Sequence, residues 1–320
     1  MTDITVAHES PRAASAGDYL ALMKPRVMSL VVFTGLAGLL CAPAAVDPVL
    51  GFSILLAIAV GAGASGALNM WFDADIDGAM ARTRARPVPA GRVRREEALG
   101  LGIVCSVLAV LLMALAGGAL AAGLLAFTIW FYAVVYTQWL KRRTAENIVI
   151  GGLAGALPPA IAWAGATGSL DLAPLLLVTI IFLWTPPHFW ALALLRRGEY
   201  EAAGVPMLPV THGARETRRR IFAYAVVCAL AALSPVFIAL GGALYAIVAA
   251  LGGAFFVFLA FRVWRSRAGD AGAAGDHDLY RAKAEDKPAR NLFAFSILYL
   301  AALFAALIAE RAFGLFWPLA

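Results

Sequence analysis

Three residues at a fixed interval, Asn69, Asp73 and Asp77, carry the strongest chemical signal in the chain. On a continuing helix their i, i+4, i+8 spacing forms one stripe that drifts about 40° and rises about 6 Å per step. The stripe presents one carboxamide and two carboxylates, hard oxygen donors too few to enclose a cation. Such a set suits Mg2+, which keeps waters and takes its remaining ligands from a substrate's phosphates. Taken alone, the triplet also fits a solvated acidic helix end.

Its neighbours favour the first reading. Arg82, Arg84, Arg86, Arg92, Arg94 and Arg95 follow immediately, and Tyr136-Thr-Gln-Trp-Leu-Lys141-Arg142-Arg143-Thr144 adds a second basic group. Carboxylates for a metal beside several cations point to a phosphate-bearing anion. A third constellation is Trp184-Thr-Pro-Pro-His188-Phe-Trp190, followed by Glu199. His188 falls about 7 residues, roughly 10 Å, inside the end of an apolar stretch, where a titratable group is costly and usually faces a cavity. A His bonded to a neighbouring helix has the same signature, so both readings stand. Pro186 and Pro187 are expected to loosen the helix beside it. Aromatic residues near these motifs, among them Trp71, Phe72, Tyr132 and Tyr136, serve as interfacial or packing groups whose ring faces can also stabilise a carbocation.

The elements that must position these groups are set by composition. Of 320 residues, 62% are hydrophobic and 14% charged, and the mean hydropathy is +0.81, far from the roughly 25% charged residues of a soluble domain. Nine apolar stretches are long enough to cross a bilayer: Val27 to Val46, Val49 to Met70, Ala98 to Ala116, Ala119 to Trp139, Ile148 to Thr167, Leu172 to Leu195, Ile221 to Leu240, Ala243 to Phe261 and Leu292 to Trp317. They lack the alternation of barrel strands, so the fold class is all-α, a polytopic membrane helical bundle. Cys41, Cys105 and Cys228 have no ligand spacing and read as packing residues.

With the N-terminus placed inside, every basic residue of the 26 except Arg311 falls on the cytoplasmic side, a strong positive-inside signal. The net charge of +6 is then a matter of topology and needs no nucleic acid. Residues 1–26 read as a cytoplasmic tail, unlike a secretory signal or an Arg-rich presequence, and 27–320 as the intramembrane domain. Outer connections are short hairpins, including Gly117-Gly118 and Gly241-Gly242, whereas the inner loops Trp71 to Glu97, Arg196 to Arg220 and Trp264 to Arg290 are long and ionisable. The site is therefore expected to face the cytoplasm of a bacterial cell, across its inner membrane.

The stretch Asn69-Met-Trp-Phe-Asp73-Ala-Asp75-Ile-Asp77-Gly-Ala-Met-Ala-Arg82-Thr-Arg84-Ala-Arg86-Pro resembles the first aspartate motif of the UbiA superfamily of intramembrane prenyltransferases. Leu22-Met-Lys24-Pro25-Arg26-Val27, Tyr136 to Thr144, Pro187-His188-Phe-Trp190 and Ala203-Gly-Val-Pro206-Met-Leu-Pro209-Val are similar to its haem-farnesylating branch. The resemblance implies about nine helices around a lipid-accessible cavity, Mg2+ as cofactor, and farnesyl diphosphate and haem b as substrates. It implies that Asn69, Asp73 and Asp77 hold the metal and that Lys141 and Arg142 act in catalysis with His188. Lys24, Arg26, Arg82, Arg86, Tyr136, Trp190 and Glu199 would contact substrate. The superfamily's second motif usually carries aspartates; here Glu199 stands in that place, as a further metal ligand. A haem A synthase or oxidase assembly factor is the expected protein partner. Two other readings remain: a prenyltransferase acting on a quinone precursor, and a transporter, whose ion site would lie near the bilayer midplane rather than at one edge.

Overall fold

The structure, a computed structural model, describes residues 14–270 and 284–316. The first part of the expected tail, Arg281 and Lys283 of the last inner loop, and Trp317 at the end of the ninth expected span lie outside these residues. Among the described residues every regular element is helical. Seven helices are long and apolar enough to cross a membrane, or eight when α1 (Ala16–Leu22) and α2 (Pro25–Cys41), bent by 52°, count as one span. The chain is a multi-pass membrane protein.

One of these runs, Arg95–Arg142, has 48 residues, about 70 Å as a straight helix and more than twice the thickness of a hydrocarbon core. Its two ends nevertheless meet at one edge. At the start, Glu97 accepts a 3.2 Å hydrogen bond from Tyr19 of α1; at the finish, Lys141 and Arg142 pair with Asp73 and Asp75, just beyond α3 (Pro48–Phe72). Lys24, two residues past α1, bonds Asn69 at that same end of α3. The run must fold back, and it does so inside α5 (Arg95–Trp130) at Gly118, with φ 79° and ψ 179°, a region open only to glycine. Its two legs supply the ninth crossing expected from hydropathy.

Local chemistry sets where the helices begin. Pro25, Pro48 and Pro158 occupy first turns, where a missing N–H costs nothing, and Asp47 caps α3 by accepting from Val49 and Leu50. α6 (Asn147–Ala156) and α7 (Pro158–Thr167) form one crossing with a break before Pro158. α8 (Leu172–Leu195) runs through Pro186 and Pro187 without a break; they remove two ladder donors there, and the Thr185 hydroxyl adds a 2.8 Å bond to the Ile181 carbonyl in the same stretch. The short α9 (Arg197–Ala202) and α10 (Leu208–Thr211) fill the second long inner loop. α11 (Gly213–Ala231), the single-turn α12 (Ser234–Phe237), α13 (Ala243–Arg265) and α14 (Lys287–Ala312) complete the chain.

Neighbour packing closes into a circuit. α2 and α3 pack on one another and α3 on α5; α6 packs on α8, α8 on α11, α11 on α13, α13 on α14, and α14 returns to α2. Outward faces carry exposed apolar side chains such as Phe52, Leu111, Leu115 and Leu251, which suits a surface solvated by lipid. At the outer end, buried Glu310 of α14 accepts from the Gly242 and Tyr245 amides and so caps α13. Cys41 and Cys228 are buried and unpaired.

Because Gly118 alone lets the long run reverse, Gly118→Ala is expected to lower stability in detergent by about 1–3 kcal/mol. Gly123→Ala, in the same helix with open space around the added carbon, is expected to be neutral or stabilising by up to about 1 kcal/mol. Equal thermal shifts for the two variants would contradict the fold-back.

Candidate active site

α3 delivers Asn69 in its last turn and stops at Phe72. Asp73 sits at the joint with α4 (Ala74–Ala79), at φ −86° and ψ 13°. Backbone bonds from Asp73 N to Asn69 O and from Asp77 N to Asp73 O, 2.9 and 2.8 Å, carry the four-residue register through that joint. The expected stripe therefore survives although the helix is interrupted. All three side chains are buried, Asp73 completely.

Asn69 organises the group. Its Oδ1 accepts from Lys24 Nζ at 2.7 Å, and its Nδ2 donates to Asp73 Oδ2 at 2.7 Å and to Thr137 Oγ1 at 3.2 Å. Lys24 reaches inward from a left-handed backbone, φ 50°, a conformation that costs a non-glycine residue about 1–3 kcal/mol and concentrates at functional sites. The return leg of the hairpin passes through a wide π-helical turn, Phe131–Trp139, and a tight 3-10 turn, Leu140–Arg142, an irregularity typical of functional positions. It sets Lys141 Nζ on Asp73 Oδ2. Arg142 turns outward, forking onto Asp75 with bonds of 2.7 and 2.8 Å. Those bonds hold the Asp75 carboxyl down at about 2, so the pair is fully formed above the ordinary carboxylate range and is lost only as pH falls towards 2. Arg86 binds Asp77 at 2.6 Å, and Thr83 ties the Asp77 carbonyl.

The carboxylates are thus matched by Lys24, Arg86, Lys141 and Arg142 at one edge of the bundle. Asp73 Oδ1 is buried with no hydrogen-bond partner, and Arg142 Nη2 lies 3.6 Å from it. An orphaned buried carboxylate oxygen beside a second carboxylate and an amide is a hard-oxygen donor set that fits a divalent ion short of full enclosure. The Tyr132 and Tyr136 rings lie 5.2 Å apart, tilted by 38°, and both are half-buried.

The second half reaches this cluster differently from the sequence expectation. Glu199 Oε1 accepts from Arg196 at 2.6 Å, and its Oε2 is buried without a hydrogen-bond partner; among the described residues no three His, Cys, Asp or Glu side chains gather to hold a metal. Tyr200, with Val205 and Met207, brings that loop against the first half. Its ring packs on the cluster of Ile76, Met80, Ile148, Ala193, Val205 and Met207, and the charges of Arg82 and Arg86 act on its phenol, whose titration burial pushes up. Trp190 is fully buried and edge-on to Tyr224, packed among core residues. Arg26 is exposed at the start of α2, and Arg82 is exposed as well. Neither joins the buried group.

His188 is buried between the parallel rings of Trp184 and Phe293, with centroids 4.3 and 4.6 Å away. Its Nδ1 lies 2.7 Å from Ser296 Oγ. The single Ser296 hydroxyl hydrogen is directed to the Phe293 carbonyl at 2.6 Å, so Nδ1 donates to Ser296 and Nε2 keeps its lone pair. Sequence reasoning missed Ser296, Tyr200 and the Asp75–Arg142 fork. Only the last had a local signal, an Asp between the two site carboxylates.

Helices that gather carboxylates and cations at one edge of an apolar bundle give the architecture of an intramembrane protein with a charged site. The sequence model of the UbiA prenyltransferase family matches residues 31–276, and the chain belongs to that family. It is 60% identical over 319 residues to the protein named protoheme IX farnesyltransferase of Caulobacter vibrioides, covering 98% of this chain and 96% of that one. The protein of the same name from Rhizobium etli is 54% identical over 298 residues, with 93% and 90% covered. Its fold matches a digeranylgeranylglyceryl phosphate synthase with a TM-score of 0.73 at 14% identity, covering 92% of this chain and 98% of that one. It also matches a UbiA homolog from Archaeoglobus fulgidus bound to DMAPP and Mg2+, with a TM-score of 0.67, 14% identity, and 91% and 99% covered. The chain is a membrane prenyltransferase similar to protoheme IX farnesyltransferases over nearly its whole length.

Proposed function

We propose that the chain transfers the farnesyl group of farnesyl diphosphate to a vinyl group of haem b, with addition of water, giving haem O. The supporting observation is the buried Asn69–Asp73–Lys141 group at one membrane edge, where metal-binding oxygens and diphosphate-binding cations converge. The choice of farnesyl and haem rests on the shared name of the relatives. The distribution of basic residues supports a bacterial inner membrane location with the N-terminus and this edge in the cytoplasm.

Asn69, Asp73 and Asp77 would hold Mg2+, which supplies neutralisation of the charge that grows on a departing diphosphate. Lys141, Arg86 and Lys24 bind the diphosphate oxygens, with Arg82 and Arg26 at the rim. These cations are already aimed at the site by the carboxylates they pair with, so little reorganisation accompanies C–O cleavage. The faces of Tyr132 and Tyr136 stand next to the developing allylic cation and stabilise it through their ring quadrupoles. The haem vinyl group attacks the terminal allylic carbon as the diphosphate departs, and water then captures the cation formed beside the macrocycle and loses a proton to leave a hydroxyl group. The apolar bundle excludes water until that step, since the farnesyl cation would otherwise hydrolyse. His188 meets the haem through Nε2, oriented by Ser296 in the manner of a metal-bound imidazole whose other nitrogen donates to a fixed acceptor.

Asp73→Asn and Asp77→Asn are expected to abolish farnesyl transfer at saturating Mg2+ in folded protein. Lys141→Ala is expected to raise the farnesyl diphosphate requirement while haem retention stays intact. Near-normal turnover in either carboxamide variant would refute the site assignment. His188→Ala is expected to change the visible spectrum of bound haem, and Ser296→Ala to change it less. An unchanged spectrum and unchanged turnover in His188→Ala would make His188 a packing residue.

A further inference from the structure

Arg142 and Lys141 are adjacent in sequence but end in different surroundings. Lys141 turns into the buried side of the joint and meets Asp73. The Arg142 side chain is one-third exposed, and it holds Asp75, whose side chain is 60% exposed. Its Nη1 donates to Asp75 Oδ2 at 2.8 Å and its Nη2 to Oδ1 at 2.7 Å. The same Nη2 lies 3.4 Å from the Phe72 carbonyl and 3.6 Å from Asp73 Oδ1, and the guanidinium sits over the Phe72 ring at 4.9 Å. Every one of these contacts falls between Phe72 and Asp75, the stretch where α3 gives way to α4.

A lone exposed ion pair contributes little, and topology alone would place a cation here without giving it a partner. Neither accounts for one planar group that joins a carboxylate, a carbonyl and a ring across a helix joint, which only a guanidinium can do. The angle of that joint decides how the Asp73 and Asp77 carboxylates face one another. We propose that Arg142 is a positioning residue rather than a diphosphate ligand: with Asp75 it clamps the α3–α4 joint and so sets the geometry of the Asp73 and Asp77 carboxylates for the metal. Lys141 is then the substrate cation of that turn. This inference rests on the reading of Asn69, Asp73 and Asp77 as the metal site.

The test uses full-length protein in detergent, with Mn2+ binding followed by electron paramagnetic resonance without prenyl substrate, and with kcat and KM for farnesyl diphosphate measured separately. Arg142→Lys keeps the charge and loses the fork; Asp75→Asn keeps the shape and loses the partner. Each is expected to weaken Mn2+ binding about tenfold or more, the scale found when groups that orient metal ligands are removed. Each is expected to lower kcat while leaving KM within about twofold. The exchange Arg142→Asp with Asp75→Arg is expected to bind Mn2+ more tightly than Arg142→Asp alone, which a direct diphosphate ligand could not produce. The proposal is overturned if Arg142→Lys binds Mn2+ like the wild type, if Asp75→Asn is silent while Arg142→Lys raises KM, or if the exchange is no better than Arg142→Asp. Should wild-type protein bind Mn2+ but fail to farnesylate haem, the proposed function falls and the Mn2+ comparison still decides the clamp.

Discussion

A carboxylate buried completely at the edge of a membrane is the constraint around which this molecule is arranged. Asp73 is withdrawn from solvent, and an ionised carboxyl there is tolerable only with hydrogen bonds and a cation in contact. Asn69 from one turn earlier supplies the first and Lys141 the second. Holding Lys141 there requires the return leg of the Gly118 hairpin, with its π-helical turn, and holding Asn69 requires Lys24 from the junction of α1 and α2. Elements far apart in the chain are thus fixed by the needs of one charge.

That arrangement also explains how an anion with several charges could be handled inside an apolar bundle. The cations do not have to be recruited, because pairing with Asp73, Asp75 and Asp77 already holds them at the edge. The long alkyl stems of Lys24 and Lys141 and the guanidinium of Arg86 can pass from carboxylate to diphosphate with small movements, whereas the forked Arg142 is tied to the scaffold. Behind them, Tyr200 and its apolar cluster join the first acidic loop to the second, so the two halves of the bundle meet over the site.

Much of this was legible in the sequence, for physical reasons that also mark where legibility ends. Helical periodicity is local, so the spacing of Asn69, Asp73 and Asp77 predicted a shared face, and backbone bonds preserve it through the joint. Gly117-Gly118 read correctly as a reversal because only glycine enters that backbone region. Hydropathy finds the limits of the membrane rather than of the helix: α11 and α14 begin at Gly213 and Lys287, well before the apolar residues that marked their spans. The tail expected over residues 1–26 contains α1, signalled by the Ser15–Asp18 capping box that hydropathy ignores. Uniformly apolar helices carry no asymmetry to tell which side faces a cavity, so the full burial of Trp190 was not legible. Partner choice was invisible too. Ser296, which fixes the His188 ring, lies 108 residues away, and Glu199 matched the expected charge but is held by its own neighbour Arg196.

The central claim is that this carboxylate and cation edge serves transfer of a farnesyl group onto haem. The most direct measurement is to incubate the purified protein with haem b, farnesyl diphosphate and Mg2+ and to analyse the extracted pigment by mass spectrometry. The account predicts a pigment heavier than haem b by one farnesyl group and one hydroxyl group, formed with Mg2+ and absent when the metal is chelated. Recovery of unmodified haem from protein that binds both substrates, or prenylation of a quinone precursor in its place, would contradict it.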